Sequence, residues 1–152
     1  MIKLGIKLMK LDINHIIPQQ HYLSTYKYNS IVDYFRDTND YGDIWVIEHR
    51  NRYFTVDGHH RLLYLYKNGV KEITVKIDRE DNENELYKSL ADEALGLGFT
   101  TIADLEHRMI NDHEIYIRKW VDKCQLMMLT EEKIETYVNN PCQMSALPLY
   151  KK

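Results

Sequence analysis

The sequence is poor in cysteine: Cys124 and Cys142 are its two thiols, and neither CxxC nor Cys/His spacing surrounds them. That excludes a disulfide framework or a cysteine-built zinc site, and leaves two idle thiols in a reducing compartment as the expectation. A basic excess is also missing. Lys and Arg number 20 against 23 Asp and Glu, a formal net charge of -3, whereas a dedicated DNA reader carries positive charge to neutralise phosphates. No apolar run approaches the roughly 20 residues that span a bilayer. The opening Met1-Ile2-Lys3-Leu4 lacks the apolar core and cleavage site of a secretory leader, so a cytoplasmic protein without membrane association is expected. Low-complexity tracts and internal repeats are absent. With 44% hydrophobic and 28% charged residues over 152 positions, the chain reads as one globular domain, or a compact domain with an appendage.

What is present falls into two halves. Met9 to Ile13 alternates apolar and polar residues, the period of a half-buried strand, and Ile16-Ile17-Pro18 is read as its close. A helix is predicted from Tyr26 to Arg36, with Tyr28, Ile31, Val32 and Phe35 forming one stripe. Ile44–Glu48 and Tyr53–Val56 read as paired strands around a polar turn, His49 to Arg52. Leu62 to Lys67 is helical, Gly69 sits at its left-handed C-cap, and Ile73–Ile77 is a further strand.

The charged run from Asp78 to Glu85 is read as a solvated linker. Only helices are expected beyond it. One runs from Leu86 to Leu95; a second contains Leu105, Met109 and Ile110, capped by Thr101 with Asp104 in a capping box; a third covers Glu114 to Met128. Thr130 opens a last short helix that Asn139-Asn140-Pro141 ends. The expected fold class is thus α+β, with a mixed-sheet domain over residues 1–80 and a C-terminal helical extension over 86–152.

Chemistry concentrates in Asp57-Gly58-His59-His60-Arg61, at the junction of a strand and a helix. The first turn of a helix leaves backbone N–H groups without partners and carries partial positive charge. Gly58 permits an unusual backbone angle or the close approach of a ligand. Arg61 adds a fork of donors suited to phosphate, and two imidazoles can donate to an anion near neutral pH. The bland alternative makes Asp57 a helix cap and His59, His60 and Arg61 surface groups. A metal is not expected, because neighbouring helical histidines point about 100 degrees apart.

This segment, followed by Leu65, Gly69 and the strand Ile73–Ile77, resembles the ParB/sulfiredoxin superfamily, and most closely its free-serine-kinase branch, whose members carry DGHHR. The upstream Ile16-Ile17-Pro18-Gln19-Gln20, a helix and then Asp43-Ile44-Trp45-Val46 follow the same order, so the resemblance covers roughly residues 8 to 78. It implies a small ParB/sulfiredoxin-like mixed sheet and a loop that cradles nucleotide phosphates, with ATP or ADP as donor in the kinase branch and CTP in the clamp branch, together with Mg. Carried over, Gly58, His59, His60 and Arg61 hold the phosphates, and Asp57, His60 and Gln20 occupy the catalytic positions. His59 stands where sulfiredoxins have their reactive cysteine, which excludes that chemistry. Gln20 stands where the kinase branch places a glutamate base, and an amide cannot take a proton as a carboxylate does. Glu48 and Asp33 are the nearest substitutes that the sequence offers.

A nucleotide-dependent phosphotransferase acting on a small-molecule or nucleoside hydroxyl, or a degenerate relative that binds a nucleotide, is therefore the leading expectation. The alternative is a ParB-like DNA-binding protein, in which Asp104–Ile110 and Glu114–Met128 form a helix-turn-helix. A third reading gives the C-terminal helices to homo-oligomer formation, with Trp120, Met127 and Met128 as an apolar surface.

Overall fold

In a computed structural model, residues 5–129 are described; the helix expected from Thr130 lies outside the described residues, as does Cys142. The protein is α+β, built on a five-stranded mixed sheet. In chain order come β1 (Ile6–Asp12), β2 (Ile16–Pro18), β3 (Leu23–Ser24), α1 (Thr25–Asp37), β4 (Trp45–His49), β5 (Arg52–Asp57), α2 (His59–Lys67), β6 (Glu72–Asp78) and α3 (Glu85–Gly96). A 3-10 helix, Ile102–Arg108, then leads through β7 (Met109–Ile110) to α4, a 15-residue helix over 113–127 whose middle, Ile117–Val121, widens into π-helical pitch.

The main sheet runs β1-β6-β4-β5-β2. β1 is antiparallel to β6, β6 parallel to β4, β4 antiparallel to β5, and β5 parallel to β2. Ile16-Ile17-Pro18 is therefore not the end of the first strand but a separate strand on the opposite edge. A single 3-10 turn, Ile13–His15, joins the two. Four residue steps reach at most about 14 Å, while four strand spacings on a flat sheet need about 19 Å. The sheet must curl, and its two edges converge at this corner.

Turn chemistry fixes the central hairpin. Arg50 (φ 53) and Asn51 (φ 59) both lie in the left-handed region, as a tight two-residue turn with right-handed strand twist requires. Gly69 (φ 81) takes the left-handed position after α2, as the sequence implies. Ser24 caps α1 by accepting the Lys27 N–H. Tyr28, Ile31, Val32 and Phe35 are all half-buried and Tyr28 packs against the main core, but no α1 residue is fully buried. The helix leans on α2 instead, with Phe35 stacked on Tyr64 at 4.7 Å and 10°.

Three expectations need correction in the second half. The charged run Asp78 to Glu85 is not a free linker: it forms a 3-10 turn, Asp81–Glu83, and Asn82 accepts the Glu48 N–H at 2.9 Å. The Thr101/Asp104 capping box is present, but it opens a 3-10 helix rather than an α-helix. Met109 and Ile110 leave that helix to pair with Leu23 and Ser24 in a two-stranded parallel sheet. A helix-turn-helix needs an α-helix there, so this segment has the wrong geometry for one. Packing does not stop near residue 80 either. Ala91, Ala94, Phe99, Ile102 and Leu105 share one core with Phe54, Ile47 and Leu62 of the sheet and α2. Asp92 of α3 ties down the hairpin, accepting from Arg50 Nε at 2.7 Å and lying 2.8 Å from His49 Nε2. Those two partners hold its carboxyl at about 2, below the usual range.

Core and edge positions of the sheet differ in what they cost to remove. Phe54 is fully buried on a central strand while Leu8 of the edge strand is 54% exposed. Phe54→Ala is expected to lower unfolding free energy by about 3–5 kcal/mol, and Leu8→Ala by at most about 0.5 kcal/mol. Urea denaturation of the two variants checks the contrast; equal losses would mean the sheet is buried on the other side.

Candidate functional site

β5 ends at Asp57, and the chain must reverse into α2 within one residue. Gly58 does this with φ 96, and a Cβ there would fall 2.5 Å from Ile44 Cδ1. No side chain caps the helix: the first intrahelical bond is Leu62 N–H to the Gly58 carbonyl at 2.8 Å. The amides of His59, His60 and Arg61 thus have no acceptor among the described residues. Asp57, the cap candidate of the bland reading, holds its carboxylate 68% exposed at the rim, 3.7 Å from Arg61 Nη2.

The histidines do not do what the sequence suggests. His59 is 3% exposed, and its Nε2 accepts the N–H of Gln19 at 3.1 Å and of Gln20 at 2.9 Å. Its other nitrogen faces the Thr55 backbone. His60 Nε2 accepts the Ser24 N–H at 2.9 Å. Desolvation, then the neighbouring His60 and His21, hold His59 at about 3; desolvation, then Lys27 and His113, do the same for His60. Both rings are neutral acceptors clamped to the segment before α1. His59 has no nitrogen left for a ligand, and His60 has only Nδ1–H.

Gln20 is equally committed. Its Nε2 donates to the Tyr22 carbonyl and to the Tyr116 hydroxyl, each at 2.7 Å. The connections close a ring from the motif to α4 and back. His59 holds Gln20, Gln20 holds Tyr116, and Tyr116 stacks on His113 at 5.8 Å and 19°. His113 Nδ1 meets Ser24 Oγ at 2.9 Å, and the Ser24 N–H returns to His60.

Above the open α2 amides lies a cavity of about 330 Å³, within the size range of small-molecule sites. Asp57, Gly58, His59, His60, Arg61 and Gln20, all singled out from sequence, line it. Ile31 and Val56 add apolar wall, and Lys27 and Ser30 of α1 and Tyr116 of α4 complete it; sequence reading missed these last three. No motif marks them; they arrive by packing. Asp33 and Glu48 are not lining residues: Asp33 pairs with Arg36 at 3.3 Å, and Glu48 is exposed on β4. Although Lys27 keeps much of its surface in solvent, crowding around its ammonium lowers its pKa, and Asp57 partly offsets this. Arg61 folds back across Gly58, with Nη1 donating to the Tyr41 carbonyl at 2.7 Å.

No protein-family model matches this chain, and no curated protein matches it. Among solved structures, the crystal structure of protein Atu1540 from Agrobacterium tumefaciens is similar in part, with a TM-score of 0.42 and 23% identity. The match covers 47% of this chain and 39% of that one. A likeness of that extent establishes neither family nor function. Among the described residues no helix is long and apolar enough to cross a membrane.

Because His59 and His60 titrate near 3 when folded against an ordinary 6.5, the unfolded chain binds more protons throughout that window. Stability is complete above about pH 6.5 and falls as pH drops towards 3, by up to about 1.4 kcal/mol per pH unit for each histidine. Urea midpoints measured from pH 7 to pH 4 should decline, and His60→Gln should decline less steeply. A profile flat from pH 7 to pH 5 would show that the imidazoles are not buried neutral acceptors.

Proposed function

We propose that this chain is a nucleotide-phosphate-binding protein of the ParB/sulfiredoxin-like kind, acting as a phosphotransferase on the hydroxyl of a small molecule. One observation carries the reading: the uncapped amides of α2 open into a cavity flanked by Lys27 and Arg61. Unpartnered N–H groups, the helix dipole and two cations are a receptor for a phosphate chain. The DGHHR resemblance supplies the ligand class, and a nucleotide ligand fits work in the cytoplasm.

The division of labour differs from a literal transfer of the motif. His59 and His60 build the cradle and do not neutralise phosphate charge, since both are neutral. Lys27 and Arg61 supply the charge. Mg takes mainly phosphate oxygens and waters, and Asp57 is the carboxylate on the cavity wall that can face it. Asp57, at the rim of the cavity, is also the base that can accept the proton of an attacking hydroxyl, as the new oxygen–phosphorus bond forms and the bond from the terminal phosphate to the rest of the nucleotide breaks, releasing a diphosphate from ATP or a monophosphate from ADP. Gln20 orients Tyr116 and the loop, because its amide nitrogen is spent on them. Phosphoryl transfer relies mostly on positioning and charge neutralisation, so such a set suffices.

Calorimetry with ATP, ADP and CTP in the presence of magnesium tests the reading. Saturable heat at or below millimolar nucleotide is expected. Arg61→Ala should weaken binding by about 1.5–3 kcal/mol, and Asp57→Asn should lose transfer about 10²–10⁴-fold. No heat together with an unchanged melting temperature would remove the proposal.

A further inference from the structure

Resting on the phosphate-binding reading above, we infer that the pocket recognises its ligand through the polyphosphate chain and is indifferent to the nucleobase, so that inorganic tripolyphosphate is a ligand in its own right.

Apart from the apolar side chains of Ile31 and Val56, the polar groups facing the cavity are mostly donors. They comprise the three open amides of α2, the Lys27 ammonium and the part of the Arg61 guanidinium not bound to Tyr41. Tyr116 adds a donor that no sequence motif marks. It is 2% exposed and lines the cavity. Its oxygen accepts from Gln20 Nε2 at 2.7 Å, so its own proton is left over, and no described residue accepts it. A buried hydroxyl with an unused proton beside a ligand cavity suits an anionic oxygen.

Base recognition needs different equipment. A base edge presents donors and acceptors together, and the cavity has few acceptors to meet them. Both protons of the Gln20 amide are taken by Tyr22 and Tyr116, which leaves only its carbonyl. Asp57 sits at the solvent rim. A base also needs an aromatic face to stack on, and each ring along the wall is already engaged. Tyr116 carries His113 stacked at 5.8 Å and the Lys27 ammonium 5.4 Å from its centroid. His60 lies edge-on to Tyr116 at 6.1 Å, and His59 is buried against Gln19 and Gln20. With about 330 Å³ available, at the low end for ligand sites, the phosphates enter and the base stays over the rim.

The test is isothermal titration of the full chain with the magnesium complexes of ATP, GTP, CTP and tripolyphosphate. Dissociation constants for the three nucleotides should agree within about threefold, with tripolyphosphate within about tenfold of them and displacing each. Lys27→Met should weaken all four by a common factor of about ten or more, since each loses the same charge-assisted contact. A preference above about tenfold for one nucleotide, failure of tripolyphosphate to displace, or a Lys27→Met loss confined to nucleotides overturns base indifference and leaves phosphate binding standing. Heat from none of the four overturns both readings.

Discussion

The geometry of the site depends on two neutral imidazoles accepting backbone N–H bonds. His59 binds the amides of Gln19 and Gln20, and His60 binds that of Ser24. Over residues 19–22 the segment between β2 and α1 is outside either sheet: the Gln20 N–H relies on His59, while the Gln19 N–H is shared between His59 and the Thr55 carbonyl at 3.3 Å. A buried donor without an acceptor costs about 1–3 kcal/mol, so losing the imidazoles would strain this segment at Gln20 and Ser24. The histidines answer that need, and burial then keeps them uncharged. Everything else in the pocket follows, because fixing Gln20 and Ser24 fixes Tyr116, His113 and the start of α1.

How far this was legible in the sequence depends on the range of the interactions. The central hairpin, α2, β6 and the stripe on α1 are set by period, turn residues and caps within a few positions of themselves, and they stand where the pattern puts them. The capping box at Thr101 was equally local, yet the helix it opens is 3-10, and Met109 and Ile110 leave it for a parallel pairing with Leu23 and Ser24. That pairing spans more than 80 residues, and no local propensity encodes it. Ile16–Pro18 fails for the same reason: its partner is β5, across a curled sheet.

The site divides along the same line. Five neighbouring residues at the strand-to-helix junction drew attention for their anion-binding chemistry, and all five line the cavity. Their roles were harder to read than their places. A histidine is donor, acceptor or cation according to burial and partners, and those partners lie about 35 to 40 residues upstream. Lys27 and Tyr116 carry no motif at all. Tyr116 belongs to a stretch that, read alone, looks like an ordinary amphipathic helix, and its placement over the cavity is a product of α4 docking beside β3.

The start of α2 bears most directly on function. A serine, threonine, aspartate or asparagine at position 58 would satisfy one of the open amides and commonly stabilises a helix by about 1 kcal/mol over a residue that cannot cap. Asp57 stands one position too early and turns outward to solvent. Gly58 takes the cap position with φ 96, where side-chain-bearing residues are strained and where a Cβ would strike Ile44. The close return of the chain therefore requires glycine, and glycine leaves the amides uncapped. A fold under pressure for stability alone has other ways to begin this helix. Leaving three donors open beside a lysine, an arginine and a buried tyrosine hydroxyl makes sense when an anion completes them.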